Sequence, residues 1–135
     1  MIEAMATAMR QARSYIPLLL LAALIPSCAS RALHVMEPAN DQQLIIQRRQ
    51  KLSITLESPL ANAYMWDVCA LDDTILRYDD RIIEEPDSMH IQEVLTFTGM
   101  QPGETSLALA YGFPSSCLLS SYQPERFLVL TVVVE

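Results

Sequence analysis

From Gln43 onward this chain repeats short apolar segments broken by turn residues, and that rhythm restricts it to a β fold. Lys51-Leu52-Ser53-Ile54-Thr55-Leu56 alternates with period two, which places Leu52, Ile54 and Leu56 on one face of a strand. Leu44-Ile45-Ile46 is a short apolar run before it, and Tyr64 to Leu71 reads as a strand carrying the only tryptophan, Trp66. Ile75 to Ile83 mixes branched residues with Arg77, Asp79, Asp80 and Arg81, the pattern of an edge or half-exposed strand. Strands follow at Glu93–Thr98, at the alternating Leu107, Leu109 and Tyr111, and at Arg126–Val134. Asp72-Asp73 marks a bend. In Gln101-Pro102-Gly103-Glu104 proline fixes one turn dihedral and glycine supplies a positive one. Loops are expected at Ser58–Asn62, Glu84–Ser88 and Gly112–Glu125. Seven or so closely spaced strands without a helical period predict an all-β chain, an immunoglobulin-like β-sandwich with Trp66 and Tyr111 in its core.

The N-terminal part has a different character. Arg10 and Arg13 precede an apolar run from Ile16 to Pro26 that stops at Ser27-Cys28. The run is too short for a spanning helix, and Pro17 and Pro26 disfavour a buried one. A basic start, an apolar middle and a small residue before a cut are the layout of a bacterial secretion signal. Plain secretion with a cut near Ser30 remains an alternative. A cysteine just after the cut points to a lipoprotein signal over residues 1–27, with Cys28 as the lipid attachment site. Residues 28–42 then read as a lipidated tether, with a short strand near Leu33–Met36, and 43–135 as the folded domain. Such a protein is held in the periplasm, and Ala29 after the cysteine tilts the expectation toward the outer membrane.

Charge and cysteine usage narrow the function classes. Removing Arg10, Arg13 and Glu3 with residues 1–27 shifts the net charge from −7 to −8, so the domain has no electrostatic reason to bind nucleic acid. With Cys28 acylated, Cys69 and Cys117 remain in an oxidising compartment, where a pair usually forms a disulfide; two unrelated buried thiols are the alternative. In a regular strand Cys69 faces away from Trp66, so that bond requires a bulge or an outer-face position. His34 and His90 have no partner at metal-ligand spacing, and the acidic pairs Asp72-Asp73, Asp79-Asp80 and Glu84-Glu85 lack the alternating ligands of a calcium loop and read as solvated charge. With three glycines in the whole chain there is no phosphate loop. No metal, cofactor or catalytic set is expected, and binding through loops remains. Apolar residues in those loops, among them Leu60, Met89, Ile91 and Phe113, either form an interaction surface or fold inward and cap the core.

The order of features resembles the chagasin family, immunoglobulin-like inhibitors of papain-type cysteine proteases. Leu56-Glu57-Ser58 leads through Pro59-Leu60-Ala61-Asn62-Ala63 to Tyr64-Met65-Trp66, where the family has a strand, an N-P-T-T-G loop and an aromatic-x-tryptophan. Leu95-Thr96-Phe97, the turn at Gly103, Leu107-Ala108-Leu109-Ala110-Tyr111 and Phe113-Pro114-Ser115 follow in family order, and Glu125-Arg126-Phe127 opens the last strand. The resemblance covers about residues 43–135. It implies a protein partner of the papain-type protease class, gripped by three loops. These would be Pro59, Leu60, Ala61, Asn62 and Ala63; Met89, His90 and Ile91; and Phe113, Pro114 and Ser115. The loops depart from the family pattern: Ala63 replaces a glycine, Ser88–Ile91 contains none, and of R-P-W only Pro114 remains. Weak or altered inhibition is therefore expected, with Phe113 as a replacement anchor. An envelope adaptor or structural lipoprotein that uses the same loops is the alternative.

Overall fold

The computed structural model describes residues 31–59, 64–113, 117 and 124–135. Eight strands run in order: β1 (Leu33–Met36), β2 (Gln43–Ile46), β3 (Lys51–Pro59), β4 (Met65–Ala70), β5 (Leu76–Glu84), β6 (His90–Gly99), β7 (Gly103–Gly112) and β8 (Arg126–Val134). They form two four-stranded sheets, β1-β3-β6-β5 and β2-β8-β7-β4. The first two strands are short edges parallel to β3 and β8, and every other pair is antiparallel. This is an immunoglobulin-type sandwich, with no α-helix among the described residues.

Alternation fixes the inner faces. Leu52, Ile54 and Leu56 of β3 are fully buried, as are Leu95 and Phe97 of β6 and Leu107 and Leu109 of β7. Trp66 and Tyr111 sit opposite each other on β4 and β7 and are both buried. Continuous apolar packing between the sheets supplies the main driving force for folding.

The structure departs from the sequence reading at several boundaries. The short strand expected at Leu33–Met36 is present as β1, which adds to β3 by parallel pairing. Ser58 and Pro59 extend β3, paired with Ile91 and His90, so two residues of the expected second loop belong to β6. A proline is tolerated there because it occupies the last rung. Cys69 sits at a register shift between Val68 and Ala70, the bulge that was one of the two alternatives for its bond, and it is bonded to Cys117. Asp79 is not simply solvated. It forms a bulge in β5, bonds Lys51 Nζ (3.1 Å) and Arg77 Nε (2.6 Å), and accepts from Thr98 Oγ1.

The register also gives the sandwich two dissimilar poles. One carries residues 31–33, the β2–β3 turn, the β4–β5 bend, the β6–β7 turn and the end of β8. There Gly99 N–H donates to Gln50 O, Arg49 N–H to Gly99 O, and Met100 N–H to Ile75 O. A Cβ on Gly99 would stand 2.8 Å from Gln47 O, so this close approach of backbones needs glycine. The β3–β4, β5–β6 and β7–β8 connections all spring from the other pole, since Pro59 pairs with His90, Met65 with Gly112 and Tyr111 with Arg126.

Candidate functional site

The loop pole is built on an aromatic ladder. Phe113, half exposed, meets Tyr64 edge-on at 4.9 Å between ring centroids. Tyr64 meets Tyr111 at 5.7 Å, and Tyr111 lies 5.4 Å from Trp66. Arg126 covers the Trp66 ring at 5.0 Å and reaches Glu37 at 3.7 Å. A surface aromatic is thereby linked through four residues to the core and to the β1–β2 connection. Edge-to-face packing holds each ring in one orientation, so Phe113 is presented on a stiff support.

A buried carboxylate clamps the same region from the opposite sheet. Glu93 of β6 is completely buried and accepts the Trp66 N–H at 3.0 and 3.3 Å on its two oxygens. Arg81 of β5 donates from Nη1 to the Trp66 carbonyl at 3.1 Å and lies 4.0 Å from both Glu93 and Asp67. β4 is an edge strand, so the Trp66 amide has no ladder partner on that side; two side chains of the other sheet supply one. Burial pushes the Glu93 carboxyl above its usual range, with the Trp66 N–H and Arg81 pulling the other way. The phase of Glu93 with Leu95 and Phe97 already marks it as inward-facing, a signal that strand assignment alone passes over.

The second loop is organised by Asp87. Its Oδ1 accepts the N–H groups of Met89 (2.7 Å) and His90 (2.8 Å), and His90 Nδ1 lies 3.2 Å away. The Met89 N–H bond holds the Asp87 carboxyl below its ordinary value, with His90 contributing further. Met89 is exposed at this tip, while Ile91 is half-buried in β6. Glu37 reaches from the β1–β2 connection to accept the Glu57 N–H, tying the base of the first loop. Among the described residues, three buried polar atoms have no hydrogen-bond partner, Ser58 Oγ, Trp66 Nε1 and Tyr111 OH, and all are on strand segments adjoining this pole. Leu60, Ala61, Asn62, Ala63, Pro114 and Ser115 lie outside the described residues, as does Cys28. The structure therefore brings together Pro59, Tyr64, Met89, His90 and Phe113 at one end. Among the described residues no group of three His, Cys, Asp or Glu side chains is placed to hold a metal.

No family model matches the sequence, and no curated protein matches it. Solved structures do. The cysteine protease inhibitor EhICP2 from Entamoeba histolytica is 19% identical, with a TM-score of 0.64 over 78% of this chain and 96% of that one. Amebosin is 21% identical, with a TM-score of 0.56 over 77% and 98%. PbICP-C, solved in complex with falcipain-2, is 10% identical, with a TM-score of 0.56 over 82% and 96%. With the strand order, the buried Trp66 and three connections at one pole, this chain has the chagasin-like, immunoglobulin-type fold that these structures share.

Proposed function

We propose that this chain is a chagasin-like inhibitor that closes the cleft of a papain-type cysteine protease with the three connections of its loop pole. The observation that carries this reading is the convergence of those connections on a stiffened base, within a fold shared with EhICP2 and with the falcipain-2-bound PbICP-C. A wedge of this kind loses little ordering entropy on docking, because Trp66, Glu93, Arg81 and Asp87 hold the loop bases before a target arrives. About 1,600 Å² buried in total, with a few central anchors, suffices for stable binding. Phe113 on its aromatic support is one anchor, and Met89 on the Asp87 turn is a second. Lipid on Cys28 would hold the inhibitor in the periplasm, at the outer membrane.

Ala63, the glycine-free Ser88–Ile91 and Ser115 favour a target cleft that differs from that of papain. The test is a panel of papain-type proteases titrated with the purified protein. Tight competitive inhibition of one member, weakened by Phe113→Ala, is the expected result. Failure against the whole panel, with retrieval of an envelope protein by the same loops, would replace inhibition with the adaptor role. Incorporation of labelled fatty acid, lost in Cys28→Ser, tests the anchor separately.

A further inference from the structure

The pole opposite the loops carries an uneven share of the basic residues, five against five acids, whereas the loop pole is strongly acidic. Of the basic residues after position 30, Arg31, Arg48, Arg49, Lys51 and Arg77 lie at this end, and only Arg81 and Arg126 lie elsewhere. Asp79 engages Lys51 and Arg77, and Asp72 folds back on Thr74. Glu135 accepts from Gln47 beside Arg48, and Asp73 and Glu104 complete the acids of this end. Arg31, Arg48 and Arg49 are exposed and form no ion pair among the described residues. The loop pole, by contrast, gathers Glu37, Glu57, Glu84, Glu85, Asp87 and Glu125.

Two further observations bear on Arg31 and Arg49, which flank Arg48 at this end. Gln50 Nε2 donates to the Arg31 carbonyl at 2.6 Å, so the chain leaves the domain at this pole. Three residues separate Arg31 from Cys28, a reach of at most about 11 Å. Arg49 also holds a φ of 68° in the tight β2–β3 turn, a left-handed conformation that glycine adopts at less cost. An arginine kept in a strained turn, beside the point where the chain departs toward Cys28, has a use for its side chain.

We propose that this pole is a docking surface for anionic phospholipid headgroups, with the guanidinium groups of Arg31, Arg48 and Arg49 against the phosphates. The orientation rests on the lipid-anchor reading of Cys28. Guanidinium matches phosphate in geometry and charge, and each arginine near an anionic surface adds about a fivefold gain in partition. The ten-residue strand β7 spans about 30 Å between the poles, so docking turns the loops outward, away from the bilayer. The target cleft would then be that of a soluble or loosely held protease rather than one embedded at the lipid surface.

The full chain, recovered from bacterial membranes, would be reconstituted into vesicles of phosphatidylcholine alone or mixed equally with phosphatidylglycerol. An arginine-selective dicarbonyl reagent read by mass spectrometry then reports each guanidinium. Arg48 and Arg49 should react several-fold more slowly on the anionic vesicles, with protection relieved by high salt, while Arg126 keeps the same rate on both. Arg49→Gly should fold at least as stably as the parent and weaken the protection of Arg48. Equal rates on both vesicles, with an acyl chain present on Cys28, would overturn the docking surface and leave the anchor standing. Absence of the acyl chain would overturn the anchor and the orientation together.

Discussion

The two poles of the sandwich are closed by different means. At the pole opposite the loops, backbone meets backbone: Arg49 with Gly99, Gly99 with Gln50, Met100 with Ile75. At the loop pole, side chains make most of the closure, with Glu93 and Arg81 on Trp66, Asp87 on Met89 and His90, and Glu37 on Glu57. Backbone closure fixes turn length and conformation. Side-chain closure grips the loop bases and leaves the loops between them free to change sequence. Where the gripping side chain lies on a strand, as Glu93 and Arg81 do, a substitution in the loop leaves the grip intact; Asp87 lies within the loop that it organises.

Several perturbations would break or sharpen this contrast. The largest expected effect belongs to Cys69–Cys117, which closes a separation of 48 residues and ties the β7–β8 connection of the loop pole to the far end of β4. Reduction, or Cys69→Ala, should cost about 4 kcal/mol in the chain-entropy account. Urea unfolding with and without reductant measures it, and an unchanged midpoint would remove the disulfide from the account of this pole.

Glu93 comes next. Glu93→Ala leaves the Trp66 amide unpaired and Arg81 without its buried partner, and should cost about 3 kcal/mol. Glu93→Gln keeps an acceptor and should change stability by less than about 1 kcal/mol at neutral pH. The two variants separate the hydrogen bond from the charge. Because burial raises this carboxyl, its contribution is full below its unfolded value and is lost as pH rises through the raised folded one. Glu93→Gln should therefore flatten that part of the stability–pH curve. Asp79 acts in the opposite sense. Burial opposes its ionisation, but Thr98, Arg77 and Lys51 outweigh that and hold it low, so its contribution is lost on acidification. Denaturation midpoints across the acidic range distinguish the two slopes.

At the other pole, Gly99→Ala sets a Cβ against Gln47 O and should cost about 2 kcal/mol, with target affinity unchanged. A loss of affinity in that folded variant would show that the poles are coupled. The smallest stability effect belongs to Phe113→Ala, less than about 1 kcal/mol, because the ring is half exposed. Its binding to the target should nonetheless fall at least about tenfold. Calorimetric unfolding and inhibition titration on the same sample test both halves of that statement.

Much of the architecture was legible in residue order. Leu52, Ile54 and Leu56 fall on the buried face that their alternation predicts, and β8 spans the expected Arg126–Val134. The turn at Gly103 falls where Pro102-Gly103 marks it, and the charged run after Ile75 is an edge strand as expected. Local rules suffice there, since strand phase and turn chemistry depend on neighbouring residues. The loop boundaries were less legible. Pro59, His90 and Ile91 belong to a ladder rung because two distant segments meet in register, and neither segment announces the other. The bulge at Cys69 was foreseeable only as one of two alternatives, and the role of Asp79 not at all.

The sequence by itself determined that the chain is all-β, which residues face inward, and that Cys69 and Cys117 were available to each other. It did so because burial pattern and turn preference are properties of short stretches. Only the tertiary structure decided that Glu93 meets the Trp66 amide, that Arg126 covers the Trp66 ring, and that Arg31, Arg48 and Arg49 lie at the end opposite the loops. Those relations join residues far apart in the chain, and packing two sheets face to face is what brings them within bonding distance.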